Sequence, residues 1–220
     1  MKYKLYLIRH GQSTYNLENR FTGWKDVDLT DLGKSQAIEA SKLLSGYNFD
    51  LAFTSNLLRA QKTLDIILNN LNCDIPIYKN EALNERDYGD LVGQNKAEAA
   101  KKFGKEQVQI WRRSFDTPPP NGESLEMTLN RTLPYFNKII KPKLAEGNNI
   151  ILSAHGNSIR SIVMDLFKYS PKEILQTEIG WCEPIICTFN QDLSMTDFEC
   201  IPRKSEESKS NFPKNLKLSN

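Results

Sequence analysis

Residues 5–11 read Leu-Tyr-Leu-Ile-Arg-His-Gly, a short apolar run that ends in two basic side chains and a glycine. The same kind of pattern recurs at residues 150–156, which read Ile-Ile-Leu-Ser-Ala-His-Gly. Such a run predicts a buried strand that leads into a turn before a helix. Because open α/β sheets bind ligands at the carboxyl ends of their strands, the pattern predicts that His10 and His155 lie at one functional sheet edge.

His10 and His155 are the only two histidines in the 220-residue chain. Imidazole is the side chain best suited to proton and phosphoryl transfer near neutral pH. We therefore interpret both residues as chemical groups. The alternative is that both are core or capping histidines with ordinary hydrogen bonds.

Strand-like and helix-like segments alternate along the chain, which predicts an α/β fold with three layers, α/β/α, and a mostly parallel central sheet. The predicted strands are 5–9, 49–54, 75–78 and 150–154, and the segments 184–189 and 195–199 predict a closing hairpin.

Helix starts and interruptions are predicted from capping residues and prolines. Thr30 and Ser55 are candidate N-caps, and Ser170 begins a capping box with proline at the first helical position. Apolar residues at helical spacing between 125 and 144 predict another helix, which Pro134 should kink.

Composition is that of a soluble globular protein, with 39% hydrophobic and 25% charged residues. No apolar run approaches the length of a membrane span, and the start has no signal-peptide core, so we expect a cytoplasmic protein. The four cysteines have no metal-type or redox spacing, which favours reduced thiols. No basic stripe with interleaved aromatic residues is present, so nucleic-acid binding is unsupported.

The last twenty residues differ from the rest. Residues 201–220 contain five basic and two acidic side chains, a net charge of +3, and are rich in Ser and Asn. We predict a catalytic domain over residues 1–200 and a basic C-terminal tail over 201–220, mobile or loosely attached. The tail is either simply solvated or engages an anionic ligand.

Polar and basic residues near the first predicted strand are suited to a phosphate. Arg9 and His10 are followed by Ser13, Asn16 and Thr22, which add hydrogen-bonding groups around a glycine. Arg59 lies one turn into a helix after the second strand, which directs it to the same edge, although a surface helix charge is the alternative.

A second group of candidates lies in the middle of the chain. Glu85, in the polar stretch 83–89, is a candidate general acid and base, unless it is a solvated loop carboxylate. Lys96, Arg112 and Arg113 are suited to a second anionic group, unless they pair with acidic residues on helix faces. No cluster of His, Cys, Asp and Glu has metal-ligand spacing, so we expect no metal.

Several of these stretches together resemble the cofactor-dependent phosphoglycerate mutases, which belong to the histidine phosphatase superfamily. The matching stretches are 7–16, 19–24, 54–60, 83–89, 111–113 and 154–160, in the same order along the chain. Arg-His-Gly marks only the superfamily, whereas the Thr-Gly-Trp loop, the Asn-Glu-Arg-x-Tyr-Gly stretch and the Arg-Arg pair are more specific to the mutases. The resemblance covers about residues 3–190.

The resemblance implies a role for each matching residue. It makes His10 the nucleophile that becomes phosphorylated and Glu85 the proton donor and acceptor. Arg9, Arg59 and His155 would hold the transferring phosphoryl group, assisted by Asn16 and Gly156. Thr22 and Gly23 would contact the substrate carboxylate. The remaining implied binding residues are Ser13, Arg86, Tyr88, Lys96, Arg112, Arg113 and Asn157.

The implied reaction is the interconversion of 3-phosphoglycerate and 2-phosphoglycerate in glycolysis and gluconeogenesis. It would proceed through a phosphohistidine primed by 2,3-bisphosphoglycerate, without a metal, in a monomer or homodimer that binds only small phosphoglycerates. One alternative is a histidine-dependent phosphatase acting on small phosphomonoesters or bisphosphoglycerate. Another is a non-catalytic binding protein with the same fold.

Three features depart from the mutase pattern. Asp87 stands where these mutases often have histidine, which adds a negative charge near the site. The loop 117–124 is shorter than in the longer mutases, so contacts between subunits made by that loop are in doubt. The tail lacks the usual Ala/Lys-rich sequence, and we expect its charge to help retain bisphosphoglycerate as a lid, with a solvated tail as the alternative.

Overall fold

A computed structural model describes residues 2–204 and 209–213, and a six-stranded sheet forms their centre. The strands are β1 (Tyr3–Arg9), β2 (Leu51–Thr54), β3 (Ile77–Lys79), β4 (Ile150–Ala154), β5 (Ile185–Phe189) and β6 (Met195–Cys200). Their order is β3-β2-β4-β1-β5-β6. The strands β3, β2, β4 and β1 run parallel to one another, β5 pairs antiparallel with β1, and β6 pairs antiparallel with β5. The predicted mostly parallel α/β fold and the closing hairpin are confirmed.

Helices cover both faces of this sheet. They are α1 (Thr14–Leu17), α2 (Asp31–Leu43), α3 (Leu58–Asn70), α4 (Lys96–Phe103), α5 (Lys105–Arg113), α6 (Leu125–Tyr135), α7 (Lys141–Ala145), α8 (Gly156–Phe167) and α9 (Pro171–Gln176). Leu5 and Leu7 of β1 pack into the core shared with α6 and α8, while Tyr6 and Ile8 pack against α2 and α3. This alternation follows from the two-residue period of a strand and produces the predicted three layers.

The capping predictions are mostly confirmed. Thr30 Oγ1 accepts a hydrogen bond from Gly33 N at 3.0 Å, and Ser170 forms the expected capping box at the start of α9. The prediction for Ser55 is wrong, because α3 begins at Leu58 and the Ser55 hydroxyl lies 2.7 Å from His155 Nε2. The N-cap position of α3 is Leu57, which has no side-chain capping hydrogen bond.

The long helical stripe is interrupted where proline predicts it. α6 contains Pro134, and a π-helical segment, Phe136–Ile140, lies between α6 and α7. Proline has no N–H to donate, so the regular ladder is broken near this point. No helix in the described ranges has both the length and the apolar character required to cross a membrane.

The loop after β1 is held closely against the start of α2. A Cβ atom at Gly33 would lie 2.1 Å from the carbonyl oxygen of Gln12, and one at Gly11 would lie 2.3 Å from that of Gly33. Gln12 N also donates to Gln36 Oε1 at 2.8 Å. Only glycine permits this approach, which fixes the backbone that carries His10.

The described part of the tail packs on the body of the protein. Arg203 is 3% exposed, and its Nε donates to the carbonyl oxygen of Trp181 at 2.7 Å. The ring of Phe212 lies 5.0 Å from that of Phe198. The prediction of loose attachment is therefore wrong for residues 201–204 and 209–213. Residues 205–208 and 214–220, which include Lys214 and Lys217, lie outside the described residues.

Candidate active site

The carboxyl ends of two neighbouring strands bring the two histidines together. Arg9 ends β1 opposite Ala154 of β4, and His10 and His155 follow these strands directly. The centroids of the two imidazole rings are 5.0 Å apart. The prediction that both histidines lie at one sheet edge is confirmed.

The imidazole of His10 is held by one contact at each of its two ring nitrogens. Its Nδ1 lies 2.7 Å from the carbonyl oxygen of Gly11, an acceptor that requires hydrogen on Nδ1 and leaves the lone pair on Nε2. Arg59 Nε donates to that Nε2 at 3.4 Å. Burial, followed by the charges of Arg59 and Arg9, holds the pKa of His10 well below its ordinary value. The imidazole is therefore neutral, and thus nucleophilic, at neutral pH.

His155 lies beside Ser55, which the sequence did not indicate as a site residue. The Ser55 hydroxyl accepts from Leu57 N at 3.2 Å and lies 2.7 Å from His155 Nε2. His155 Nδ1 and Arg9 Nε are both buried with no hydrogen-bond partner among the described residues. Two such nitrogens at one sheet edge, one of them in a guanidinium group, fit an anionic ligand.

Glu85 is a buried carboxylate at the N-terminus of α8. Its Oε1 accepts from Asn157 N at 3.1 Å, Asn157 Nδ2 at 2.9 Å and Arg86 N at 2.8 Å. Burial raises the pKa of Glu85, but the Arg86 N–H, the charge of Arg9 and the Asn157 amide together bring that pKa below its ordinary value. Glu85 is therefore a proton acceptor in the free protein. A phosphate placed among the same cations would offset their effect and raise its pKa.

The loop that carries Glu85 is fixed by residues that sequence analysis missed. Trp24 Nε1 donates to the carbonyl oxygen of Glu85 at 2.6 Å, and Arg131 Nη2 donates to the same oxygen at 3.3 Å. Arg131 is paired with Glu123 at 2.9 Å and lies over the Trp24 ring. These contacts come from three separate segments, so no local spacing could have revealed them.

A polar cleft of about 150 Å³ opens beside Arg9 and Glu85. The predicted residues that line it are Arg9, Asn16, Thr22, Gly23, Glu85, Tyr88, Lys96, Arg112, Arg113, Gly156 and Asn157. Residues that were not predicted also line it, namely Arg20, Phe21, Arg160, Glu178 and Ile179. The lining includes six basic side chains and two acidic ones, so the cleft favours an anion.

Five predicted site residues lie behind the lining. His10, Arg59 and His155 are almost fully buried and form the floor. Ser13 is also buried, and its hydroxyl donates to Asn16 Oδ1 at 2.9 Å. Arg86 is buried behind two of the lining residues, Tyr88 and Arg112.

The buried guanidinium of Arg86 donates from Nη2 to the Tyr88 hydroxyl at 2.9 Å and to the carbonyl oxygen of Arg112 at 3.1 Å. It therefore holds two lining residues in place. Asp87 does not line the cleft. Its Oδ1 accepts from Gly89 N at 3.0 Å. Its charge shapes the turn at Gly89, where φ is +51°.

Lys96 illustrates how closely the cations are placed. Burial is the main cause that lowers the pKa of Lys96, and the charges of Arg112, Arg9 and Arg113 lower it further. Like charges this close repel one another until an anion lies between them. The cleft is thus electrostatically prepared for a ligand with several negative charges.

The expectation that no metal-type cluster exists needs correction. One ligand atom each from His10, Glu85 and His155 lies within 4.8 Å of the others. Sequence spacing could not show this, because folding brings three distant segments together. The adjacent guanidinium groups of Arg9 and Arg59 would repel a divalent cation at this cluster. On that ground we keep independence from metal as a prediction.

The two histidines allow a direct test of this electrostatic description. We expect both imidazoles of the free protein to titrate below pH 6.5, and His10 to titrate at higher pH when inorganic phosphate binds, because an anion favours the charged form. NMR titration of the ring signals measures both, and an Arg59→Gln variant should raise the pKa of His10. A midpoint near 6.5 for His10 in the free protein would contradict the description.

Relatives of known name cover most of the chain. The sequence profile of the histidine phosphatase superfamily (branch 1) matches residues 5–195. The 2,3-bisphosphoglycerate-dependent phosphoglycerate mutase of Nitrobacter winogradskyi is 55% identical over 194 residues, which are 87% of this chain and 94% of that protein. The enzyme of the same name from Cytophaga hutchinsonii is 48% identical and covers 90% of this chain and 92% of its own length.

Solved structures of lower identity share the fold. A mycobacterial glucosyl-3-phosphoglycerate phosphatase superposes with a TM-score of 0.78 at 22% identity, covering 94% of this chain and 100% of that one. The alpha-ribazole phosphatase of Shigella flexneri gives a TM-score of 0.76 at 21% identity, covering 94% and 98%. These structures show the shared fold. The profile match and the sequence relatives establish that this chain belongs to the histidine phosphatase superfamily, within its family of 2,3-bisphosphoglycerate-dependent phosphoglycerate mutases.

Proposed function

We propose that this protein interconverts 3-phosphoglycerate and 2-phosphoglycerate in glycolysis and gluconeogenesis through a phosphohistidine at His10. The observation that carries the proposal is the neutral, buried imidazole of His10, whose Nε2 lone pair accepts from Arg59 Nε at 3.4 Å. Its setting in a chain 55% identical to a phosphoglycerate mutase supports this substrate class. The unpaired nitrogens Arg9 Nε and His155 Nδ1 suit the phosphate of a bisphosphoglycerate, which supplies the first phosphoryl group.

His10 performs the first half of the cycle. Its Nε2 attacks the phosphorus of a bound phosphate ester, so an N–P bond forms and the P–O bond to the leaving group breaks. Arg9, Arg59 and His155 neutralise the charge on the transferring phosphoryl oxygens. Glu85, protonated while the phosphate lies among the cations, gives its proton to the leaving oxygen.

The second half reverses the proton movement. Glu85, now ionised, accepts the proton from the hydroxyl group of a monophosphoglycerate as that oxygen attacks the phosphorus. The N–P bond of His10 breaks and the imidazole regains its lone pair on Nε2. Which hydroxyl attacks decides whether the 2- or 3-phosphate results, so the cleft must let the intermediate reorient without admitting water.

Other residues of the cleft lining provide the remaining binding groups in this proposal. We assign Thr22 and Gly23 to the substrate carboxylate, and Tyr88, Lys96, Arg112 and Arg113 to the distal anionic group. The support for these assignments is that all six residues line the cleft. We also propose a cytoplasmic location, which four unpaired cysteines suit, and a monomer or homodimer whose ligands are small phosphoglycerates.

The first test combines turnover with labelling. In a coupled assay with 3-phosphoglycerate, we expect activity to rise when 2,3-bisphosphoglycerate is added, because the added compound phosphorylates His10. His10→Ala should remove both turnover and the acid-labile phosphate label while the protein stays folded. Stable labelling in that variant would contradict the assignment. Rapid release of inorganic phosphate without mutase turnover would favour a phosphatase. The absence of both activities would favour a binding protein.

Glu85 is tested by an isosteric change. We expect Glu85→Gln to lower the mutase rate by about 10²–10⁴, the usual contribution of a positioned general acid. Glu146→Gln is the matched control, because Glu146 is paired with Lys143 on the surface and should leave the rate unchanged. A near-normal rate for Glu85→Gln would mean that another group handles the proton.

Independence from metal is tested by chelation. We expect full mutase activity after dialysis against EDTA, because Arg9 and Arg59 already supply positive charge where a metal would act. The coupling enzymes must be added after the chelator is removed, so that only this protein is tested. Loss of activity that a divalent ion restores would assign a metal to His10, Glu85 and His155.

A further inference from the structure

Glu178 is an acidic side chain in a cleft built from basic ones. Its Oε1 accepts from Arg113 Nη1 at 2.5 Å, and its Oε2 accepts from Arg160 Nη2 at 2.7 Å. All three residues line the cleft, and about two-fifths of the Glu178 side chain is exposed to it. The carboxylate therefore occupies two guanidinium groups that would otherwise face a ligand.

The other acidic residue of the lining, Glu85, has a part in proton transfer, but Glu178 has none in the mechanism above. The guanidinium of Arg113 is a planar donor suited to a carboxylate or phosphate. In the free protein it already binds a carboxylate of the chain itself. A ligand that binds Arg113 must compete with Glu178 for its guanidinium group and comes close to the negative charge of Glu178.

The backbone of Glu178 is fixed, so only its side chain can give way. Glu178 N donates to the carbonyl oxygen of Asn211 at 2.9 Å, and Asn211 N donates to that of Glu178 at 2.9 Å. The next residue, Ile179, accepts from Arg9 Nη1 at 2.7 Å. The segment is thus tied both to the tail and to the floor of the site.

We propose that Glu178 is a specificity-determining residue, an internal anion that occupies Arg113 and Arg160 in the free cleft and lowers its affinity for anionic ligands. The repulsion increases with ligand charge, so it acts more strongly on 2,3-bisphosphoglycerate than on 3-phosphoglycerate. Glu178 thereby limits how tightly a strongly cationic cleft retains polyanions. The choice of these two ligands rests on the proposed function.

The test is equilibrium binding to Glu178→Gln. This change removes the charge but keeps the shape and one acceptor for arginine. By calorimetry we expect 3-phosphoglycerate to bind about fivefold more tightly and 2,3-bisphosphoglycerate to gain more, with the difference reduced by salt. Glu146→Gln, which removes the same charge from a distant lysine pair, should bind like the wild type. Unchanged or weaker binding to Glu178→Gln would overturn the proposal.

A second measurement uses the unaltered protein. In a structure with bound 3-phosphoglycerate, the Glu178–Arg113 contact should open beyond hydrogen-bonding distance as the guanidinium turns to the ligand. If both arginine contacts persist with ligand bound, the proposal fails. Because binding is measured without turnover, tighter binding to Glu178→Gln in a protein lacking mutase activity would reject the proposed function alone. Mutase activity with no gain in affinity would reject this inference alone.

Discussion

The hydrogen bond from His10 Nδ1 to the carbonyl oxygen of Gly11 is the contact on which the site depends. It fixes the ring and leaves Nε2 as the nucleophile. The bond requires a rigid backbone at Gly11, which the close approach to Gly33 provides. The position of the reactive nitrogen is thus determined by packing between the first loop and α2, before any ligand binds.

Buried positive charge is the second constraint. Burial lowers the pKa values of the two arginines, and their charges in turn lower the pKa values of His10 and Glu85. Burial lowers the pKa of Arg59 to about 10, which leaves Arg59 protonated at neutral pH, and burial also lowers the pKa of Arg9. Their charges help to keep His10 unprotonated and Glu85 ionised. A bound phosphate reverses this influence on Glu85, so ligand binding itself prepares the proton donor.

Strand ends, glycines and helix caps are local signals, and they were sufficient to predict the fold and the edge of the sheet where the site lies. The resemblance to the mutases supplied many of the cleft residues. The sequence could not assign Ser55, whose hydroxyl has two competing uses, as a helix cap or as a partner of His155. Arg160 and Glu178 were missed because their pairing joins α8 to a loop after α9. The described tail was misjudged because composition does not show the contacts that bury Arg203.

The two ends of the cleft are connected through one amide side chain. Asn157 Nδ2 donates to Glu85 at 2.9 Å, while its Oδ1 accepts from Arg160 Nη1 at 3.3 Å. Arg160 in turn binds Glu178. A continuous chain of hydrogen bonds therefore joins Glu178, Arg160 and Asn157 to Glu85. Because hydrogen bonds in such a chain polarise one another, the two ends of the cleft belong to one polar network.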